Sequence, residues 1–441
     1  MNVAAQWYIS GGSGVEVAAS IEAGIREGRL PPASRLPTVR ELAGSLGLSP
    51  TTVAGVYRDL GHRGLLTAAG RLGTTVSARP PVALSWRQVF APGIHDLASG
   101  NPDPALFPKL ARHLRRLEVP TTNYGDPAND AELVELARRR FSADGVPAHH
   151  LTVVGGALDG VERVLQAHLR PGDRVAVEDP GYPGILDLVA ALGLVARPVA
   201  VDDCGPRPDA LAAALGAGAA ALVLTPRAQN PYGAALDPER AADLGALLDS
   251  HPTVLVVEDD HAGEIAGVGA CTLCAAERPR WAVIRSVAKS LGPDLRLAVL
   301  TGDAVTVARI EGRRLLGTGW VSHILQRLVV DLWNDPATPR LLQDAARTYA
   351  ERRSALVSAL AGHGIAAHGR SGINVWIPVT HEAGAVAALL DRGWGVLAGE
   401  RFRIRAGRAI RVSTARLSPE DARHFAADLA AALEIAPARL A

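Results

Sequence analysis

The sequence predicts two architectures in series. A small helix–turn–helix unit with a two-stranded wing comes first, followed by a large α/β domain with a mainly parallel sheet and a smaller α+β lobe. Three observations carry this. Two short helical patterns flank a tight joint, Gly47-Leu48-Ser49, near the start. Continuous Val/Ile/Leu runs alternate with helical stretches across the middle of the chain, as expected for strands covered on both faces. The 441 residues, 48% hydrophobic and 21% charged, suit two or three domains with a large core and do not resemble a disordered chain.

The elements follow in order. Val15, Ala18, Ile21 and Ile25 have helical spacing over residues 13–28, ending at Gly28. Thr38 can cap VRELAGSLG, which Gly47 ends; Ser49 can cap PTTVAGVYRDLGHRG, with Pro50 at the favoured first helical position. LLTAAGRLGTTVSARP reads as two short strands around a Gly-containing turn, the shape of a wing. Residues 1–79 form this unit, and PPVALSWRQVFAPG at 80–93 is a linker. From residue 94 to 441, LTVVGG, RVAVEDP, AALVLTP, TVLVVEDD and RWAVIRSV are strands separated by helices. The stretch from about 340 to 441 mixes both in a smaller lobe.

Charge and rare residues narrow the function. The chain carries +1 overall, which removes a bulk electrostatic case for nucleic acid or membrane. Residues 1–80, however, hold eight arginines against five acids, so the basic excess is N-terminal. Three cysteines (Cys204, Cys271, Cys274) build no disulfide framework and no secretory leader is visible, so the cytoplasm is the expected home. Of 46 basic residues only Lys109 and Lys289 are lysines. Where arginine has taken nearly every position that needs only charge, a surviving lysine points to a required primary amine. Lys109 lies among cations on what reads as a solvated helix face; Lys289, between two apolar runs, is a candidate Schiff-base nucleophile.

A helix–turn–helix sets its second helix, here about 50–62, in the major groove. Thr51 and Thr52 stand at its start behind Ser49, Arg35, Arg40 and Arg58 near the same face, and Arg71 with Gly73 in the wing; Tyr57 is assigned to the same surface. Arg71 at the wing tip suits a minor groove, the other arginines phosphate or guanine. Taken singly each arginine is equally a solvated charge. Together, RLPTVRELAGSLGLSPTTVAGVYRDLGHRGLL and GRLGTTV resemble the winged-helix domain of the GntR superfamily over some seventy residues.

Further along, five segments fit pyridoxal 5′-phosphate, which needs an amine, an anion at the pyridine nitrogen, a donor for the phenolate, a phosphate cradle and usually a stacked aromatic. Lys289 supplies the amine. Asp259 in VLVVEDDHAGEI stands at the end of a buried strand, where ligands gather in open α/β sheets; an ordinary strand-end acid is the alternative. Asn230 in TPRAQNPYG suits the phenolate or merely a turn. Gly156 and Ala157 open a helix whose free N–H groups favour an anion, and Ser286 and Arg296 complete the cradle. Tyr182 in VEDPGYPG is available to stack or to pack. Arg411 in AIRVSTARL, read as following a strand, suits a carboxylate or a surface ion pair.

With these residues placed, 94–441 resembles a fold-type I, class I aminotransferase domain, and the whole chain resembles the MocR-type regulators of the GntR superfamily. The resemblance implies pyridoxal phosphate on Lys289, Asp259 at the pyridine nitrogen, Asn230 and His261 toward the phenolate, Ser286 and Arg296 at the phosphate, and Arg411 with Gly100 of SGNPD at a ligand carboxylate. Tyr124 in TNYGDPAND matches a tyrosine that reaches the phosphate of a partner subunit, which implies a homodimer with shared sites and a double-stranded operator with two half-sites. Two positions depart from the pattern: His261 replaces the usual tyrosine, and Asn129 a glycine expected to shape the turn beneath Tyr124. The expected function is a transcriptional regulator that senses a small amine, an amino acid or the cofactor. A working aminotransferase with a vestigial reader is the alternative, and a cofactor-free dimerisation scaffold a further one.

Overall fold

The computed structural model describes residues 9–26, 29–31, 33–62, 65–68, 73–77 and 90–435. The expected wing tip with Arg71, and most of the expected linker, lie outside the described residues. The chain divides into two compact units, one holding residues 1–86 with the short segments 170–173 and 186–196, the other the remaining residues to 441.

In the first unit, α1 (Gly14–Arg26), α2 (Val39–Leu46) and α3 (Pro50–His62) precede the antiparallel pair β1 (Leu66–Ala68) and β2 (Thr74–Val76), with Leu66 opposite Val76. Local chemistry sets the helix ends. Thr38 accepts from Glu41 N while Glu41 accepts from Thr38 N at 2.7 Å, a reciprocal cap. Gly47, at φ +67°, closes α2 in the left-handed conformation that glycine adopts without steric cost. Ser49 Oγ then accepts from Thr52 N at 3.0 Å to start α3. Val17, Ile21, Leu42, Val53, Leu60 and Val76 fill the core between these elements.

The second unit opens with β3 (His95–Asp96), α4 (Leu110–Arg115) and α5 (Ala131–Ala143). The large sheet collects β4 (His150–Val154), β5 (Arg174–Asp179), β6 (Val195–Asp202), β7 (Gly205–Pro206), β8 (Ala221–Leu224), β9 (Leu255–Asp260), β10 (Trp281–Ser286) and β11 (Ala298–Gly302) in the spatial order 4-11-10-9-8-5-6-7. β5, β8, β9 and β10 run parallel, and β11 is antiparallel to both its neighbours. Joining them along the chain are α6 (Ala157–His168), α7 (Pro183–Ala191), whose residues from 186 on are counted with the first unit, α8 (Pro208–Gly216), α9 (Pro238–Asp249) and α10 (Ala288–Leu291). The sequence reading missed three of these strands, β6, β11 and the two-residue β7. In β6 the apolar run is broken by Arg197 and Pro198 and most of the strand is only half-buried; β11 is fully buried but follows β10 closely through a short helix.

After α11 (Ala304–Leu315), α12 (His323–Asn334) and the long α13 (Ala337–Gly362) lead to the smaller lobe. There β12 (Asn374–Pro378), α14 (Glu382–Leu390), β13 (Trp394–Gly395), β14 (Leu397–Ala398), β15 (Ala409–Ser413) and α15 (Pro419–Ile435) follow, with a three-stranded sheet ordered 12-15-14 and β13 paired to β3. Phe425, Leu429, Leu356 and Val412 form its core. The parallel strands β5, β8, β9 and β10 end on one edge of the large sheet, where an open α/β sheet offers its crevice.

Candidate functional site

The loops at that edge enclose a pocket lined by, among others, Gly100, Ala157, Tyr182, Asn230, Asp259, His261, Ser286, Lys289 and Arg296. The fold thus brings together nine of the residues singled out from the sequence. Lys289, in α10, donates from Nζ to the Gly100 carbonyl at 2.8 Å. Burial, and then the Arg411 charge, lower its amine to about 8 against an attraction from Asp259. Asp259 is the next-to-last residue of β9; burial first and Asp260 second raise it to about 7. Burial and the Lys289 charge hold the His261 imidazole down at about 4, so at neutral pH it is an uncharged donor and acceptor.

A cradle for an anion stands at one end. Gly156 caps α6 at φ +111°, and a Cβ there would lie 3.0 Å from the Arg296 guanidinium, so glycine both permits the turn and lets the arginine close over the helix start. Asp159 accepts the Gly155 N–H at 2.7 Å, and helix geometry leaves the first-turn N–H groups directed outward. Ser286 Oγ, at the end of β10, accepts from Ala288 N at 3.2 Å and keeps its own proton to donate.

Arg411 lies in the middle of β15, not after a strand as the sequence was read, and it is 3% exposed, which removes the surface ion pair. Its Nη1 donates to Asn374 Oδ1 at 3.0 Å and Nη2 to the Ala98 carbonyl; Nε is buried without a partner. Gly100, at φ +62°, lies so close that a Cβ would stand 2.5 Å from Nη1. The Phe402 ring faces the guanidinium at 5.3 Å. Asn374 was not anticipated, because the pairing joins β12 to β15 and leaves no local signal. Nor was Ala228, which lines the pocket at φ +56°, costly for a residue with a Cβ and held there by a 2.8 Å bond from its N–H to Ser371 Oγ.

Two positions of the same loop take on definite surroundings. Asn129 does not merely reshape a turn: its Oδ1 accepts from Val153 N at 3.1 Å and its Nδ2 donates to Glu311 at 3.0 Å, tying the loop to β4 and α11. Tyr124 is 94% exposed, edge-on to Trp320 at 5.7 Å, and does not line the pocket of its own chain.

In the reader, Arg35, Arg40, Thr51 and Arg58 are exposed. Thr52 Oγ1 shares a 2.8 Å hydrogen bond with Ser49 Oγ. Gly73, at φ +83°, makes room for the Arg35 side chain 3.2 Å from where its Cβ would be. Tyr57 is corrected: it is 7% exposed and donates to the Pro37 carbonyl at 2.8 Å, so its ring and hydroxyl belong to the core of the unit.

The fit to pyridoxal phosphate is tested by what the pocket leaves unpaired. Asp259 Oδ1 is buried without a hydrogen-bond partner, a costly arrangement in a finished core and the expected one where a protonated ring nitrogen docks. Asn230 Oδ1 is likewise unpartnered, and the Nδ2 of that amide is the group able to donate to a phenolate. Together with a desolvated amine and an arginine-closed helix start, this donor set fits the cofactor.

A DNA-reading unit joined to such a site defines a regulator built on an aminotransferase scaffold, and comparison with known proteins agrees. Residues 14–76 match the bacterial regulatory proteins of the gntR family, and residues 92–429 match aminotransferase class I and II. The chain is 40% identical, over 96% of its length and 99% of the relative's, to the vitamin B6 salvage pathway transcriptional repressor PtsJ of Salmonella typhimurium. It is 28% identical to the pyridoxine biosynthesis transcriptional regulator PdxR of Corynebacterium glutamicum, over 75% of each chain. Among solved structures, the α-aminoadipate aminotransferase LysN of Thermus thermophilus superposes with a TM-score of 0.68 at 24% identity, covering 79% of this chain and 94% of that one. The chain belongs to the MocR-type transcriptional regulators of the GntR superfamily, and its fold implies pyridoxal phosphate as cofactor. Among the described residues no helix is long and apolar enough to cross a membrane.

Proposed function

We propose that this regulator binds pyridoxal phosphate in the pocket around Lys289 and changes its grip on DNA when a small amine, an amino acid or the cofactor itself occupies that pocket. The observation that carries this is the pairing of a desolvated Lys289 amine with the unpartnered Asp259 and Asn230 oxygens in one cavity. When bound, the cofactor supplies an electrophilic carbonyl and an electron-withdrawing ring. Lys289 is the residue that attaches, Asp259 holds a proton at the ring nitrogen, and Asn230 and His261 face the phenolate. Gly156, Ala157, Ser286 and Arg296 hold the phosphate, and Tyr182 covers the ring. Arg411, oriented by Asn374 and shielded by Gly100, takes a ligand carboxylate.

We assign residues 1–79 to the reader, 80–93 to the linker and 94–441 to the sensor, and we place the protein in the cytoplasm. Tyr124, exposed in the single chain, completes the phosphate site of a partner subunit in a homodimer. That dimer presents two readers and requires two half-sites. The vitamin B6 connection of PtsJ and PdxR suggests genes of that metabolism as targets, with repression as the direction.

Two variants separate the parts. Arg411→Ala is expected to weaken carboxylate-bearing ligands by about 1.5–3 kcal/mol, the scale of a charge-assisted hydrogen bond, while cofactor is retained; titration against the visible spectrum checks it, and unchanged affinities refute the clamp. Arg40→Ala is expected to weaken operator binding and reduce the salt slope by about one, the signature of a lost phosphate contact. Gel shifts across a salt series, on intact and half-site DNA, measure this. Equal affinity for both DNAs, with steady turnover of amino acid and 2-oxo acid, leaves the aminotransferase reading ahead.

A further inference from the structure

The carboxylate site has a back wall that is not built from the residues that line it. Phe402, whose ring faces the Arg411 guanidinium, is 3% exposed and also packs edge-on against Trp376 at 6.1 Å. It sits in the connection between β14 and β15, a segment rich in arginine (Arg401, Arg403, Arg405, Arg408) whose buried apolar anchor is Phe402 itself. Two carboxylates hold that segment. From the small lobe, Glu382 accepts from Glu400 N at 3.1 Å, Ala409 N at 2.9 Å and Arg403 Nε at 3.2 Å. From the large sheet, Asp179, the last residue of β5, accepts three consecutive backbone N–H groups, those of Ile404 at 2.8 Å, Arg405 at 2.7 Å and Ala406 at 3.0 Å. Next to it, Gly181 N donates to the Phe402 carbonyl at 2.7 Å.

We propose that Asp179 is a positioning residue for the ligand carboxylate: its side chain latches the 402–406 segment to the end of β5 and so holds Phe402 behind Arg411. Three charge-assisted bonds to adjacent amides fix a backbone, not a side chain, and Asp179 is itself 4% exposed. An amide at this position keeps one acceptor and turns an N–H₂ toward the N–H donors, so Asp179→Asn breaks the latch without changing volume. The Arg411 head group then loses its fixed orientation, and bidentate pairing with a carboxylate suffers. The phosphate cradle at Gly156 and Arg296 belongs to other loops; Tyr182 lies three residues beyond Asp179, so the cofactor spectrum serves as the control that the change stops at the carboxylate site. This inference rests on the reading of Arg411 as the carboxylate receptor.

The test uses the full-length protein loaded with pyridoxal phosphate and two probes of one shape, L-leucine and 3-methylbutylamine, which differ by the carboxylate. Asp179→Asn is expected to bind leucine about tenfold more weakly, a loss of about 1.4 kcal/mol, with the amine's affinity and the cofactor spectrum unchanged. Amide exchange of residues 402–406 is expected to accelerate in the same variant, and Asp179→Glu to restore part of both effects. Equal weakening of the two probes, or unaltered exchange in the segment, overturns the latch. A failure of the carboxylate reading itself is visible in the wild type, which would then show no preference for leucine over the amine; that result removes the latch's purpose as well.

Discussion

Lys289→Ala is expected to abolish covalent attachment of pyridoxal phosphate while leaving a folded protein. The amine is the group that condenses with the cofactor carbonyl; within the described residues it donates one hydrogen bond, to the Gly100 carbonyl, so its removal costs the fold little. Borohydride reduction followed by peptide mapping gives a clean readout, because the chain holds a single other lysine, Lys109, which is exposed. The label is expected on the Lys289 peptide in the wild type and on neither peptide in the variant; equal labelling of the two proteins sinks the assignment. The lowered amine adds a pH signature. The free base reacts and the ammonium does not, so the attachment rate rises with pH through about 8 and levels above it. A rate that keeps climbing beyond pH 10 would belong to an ordinary solvated lysine.

How far the sequence reached depended on whether a signal was local. Lys289 was legible because arginine had displaced lysine elsewhere, and Gly156 because a strand, two glycines and a helix adjoin within a few residues. Helix caps at Thr38, Gly47 and Ser49 are equally local, and the structure forms them where the sequence places them. The surroundings of Arg411 were not legible: Ala98, Gly100 and Asn374 meet it only through the pairing of β12 with β15 and the return of the domain's first segment. Tyr57 was misassigned for the same reason. Its surface-compatible hydroxyl is taken up by Pro37, twenty residues earlier and across the unit. β6 escaped because a half-buried edge region tolerates Arg197 and Pro198, which break the pattern expected of a strand. The motif EDD displayed two aspartates side by side, but only the fold reveals that they serve opposite ends.

Of the pair, Asp259 points to the pocket, whereas Asp260 anchors the sheet, and Asp260→Ala is the change expected to destabilise the large domain most, by about 3–5 kcal/mol, the cost of leaving buried charges without a partner. Arg227 grips Asp260 through Nε at 2.9 Å and Nη2 at 2.8 Å, and Arg285 adds a third bond at 2.8 Å. Asp144 joins both arginines at 3.2 and 2.9 Å but is more exposed. Burial alone would raise the Asp260 carboxyl; the two guanidiniums reverse this and hold it well below the usual carboxylate range. A folded-state value below the unfolded one, about 4 for aspartate, means the stabilisation is complete above that pH and disappears as pH falls below it. Asp259, raised to about 7, has the opposite sign: it takes up a proton on folding between about pH 4 and 7, so its contribution declines as pH rises through that window. Because Asp260 is itself a cause of that rise, Asp260→Ala is expected to flatten both limbs of the stability profile. Denaturation followed by tryptophan fluorescence from pH 3 to 8 measures this. Replacing Arg227 and Arg285 together with methionine in the Asp260→Ala background should recover much of the loss, since an apolar set of similar volume strands no charge. A single variant as stable as the wild type at pH 7, or a triple variant no better than the single one, would rule out buried charge as the origin.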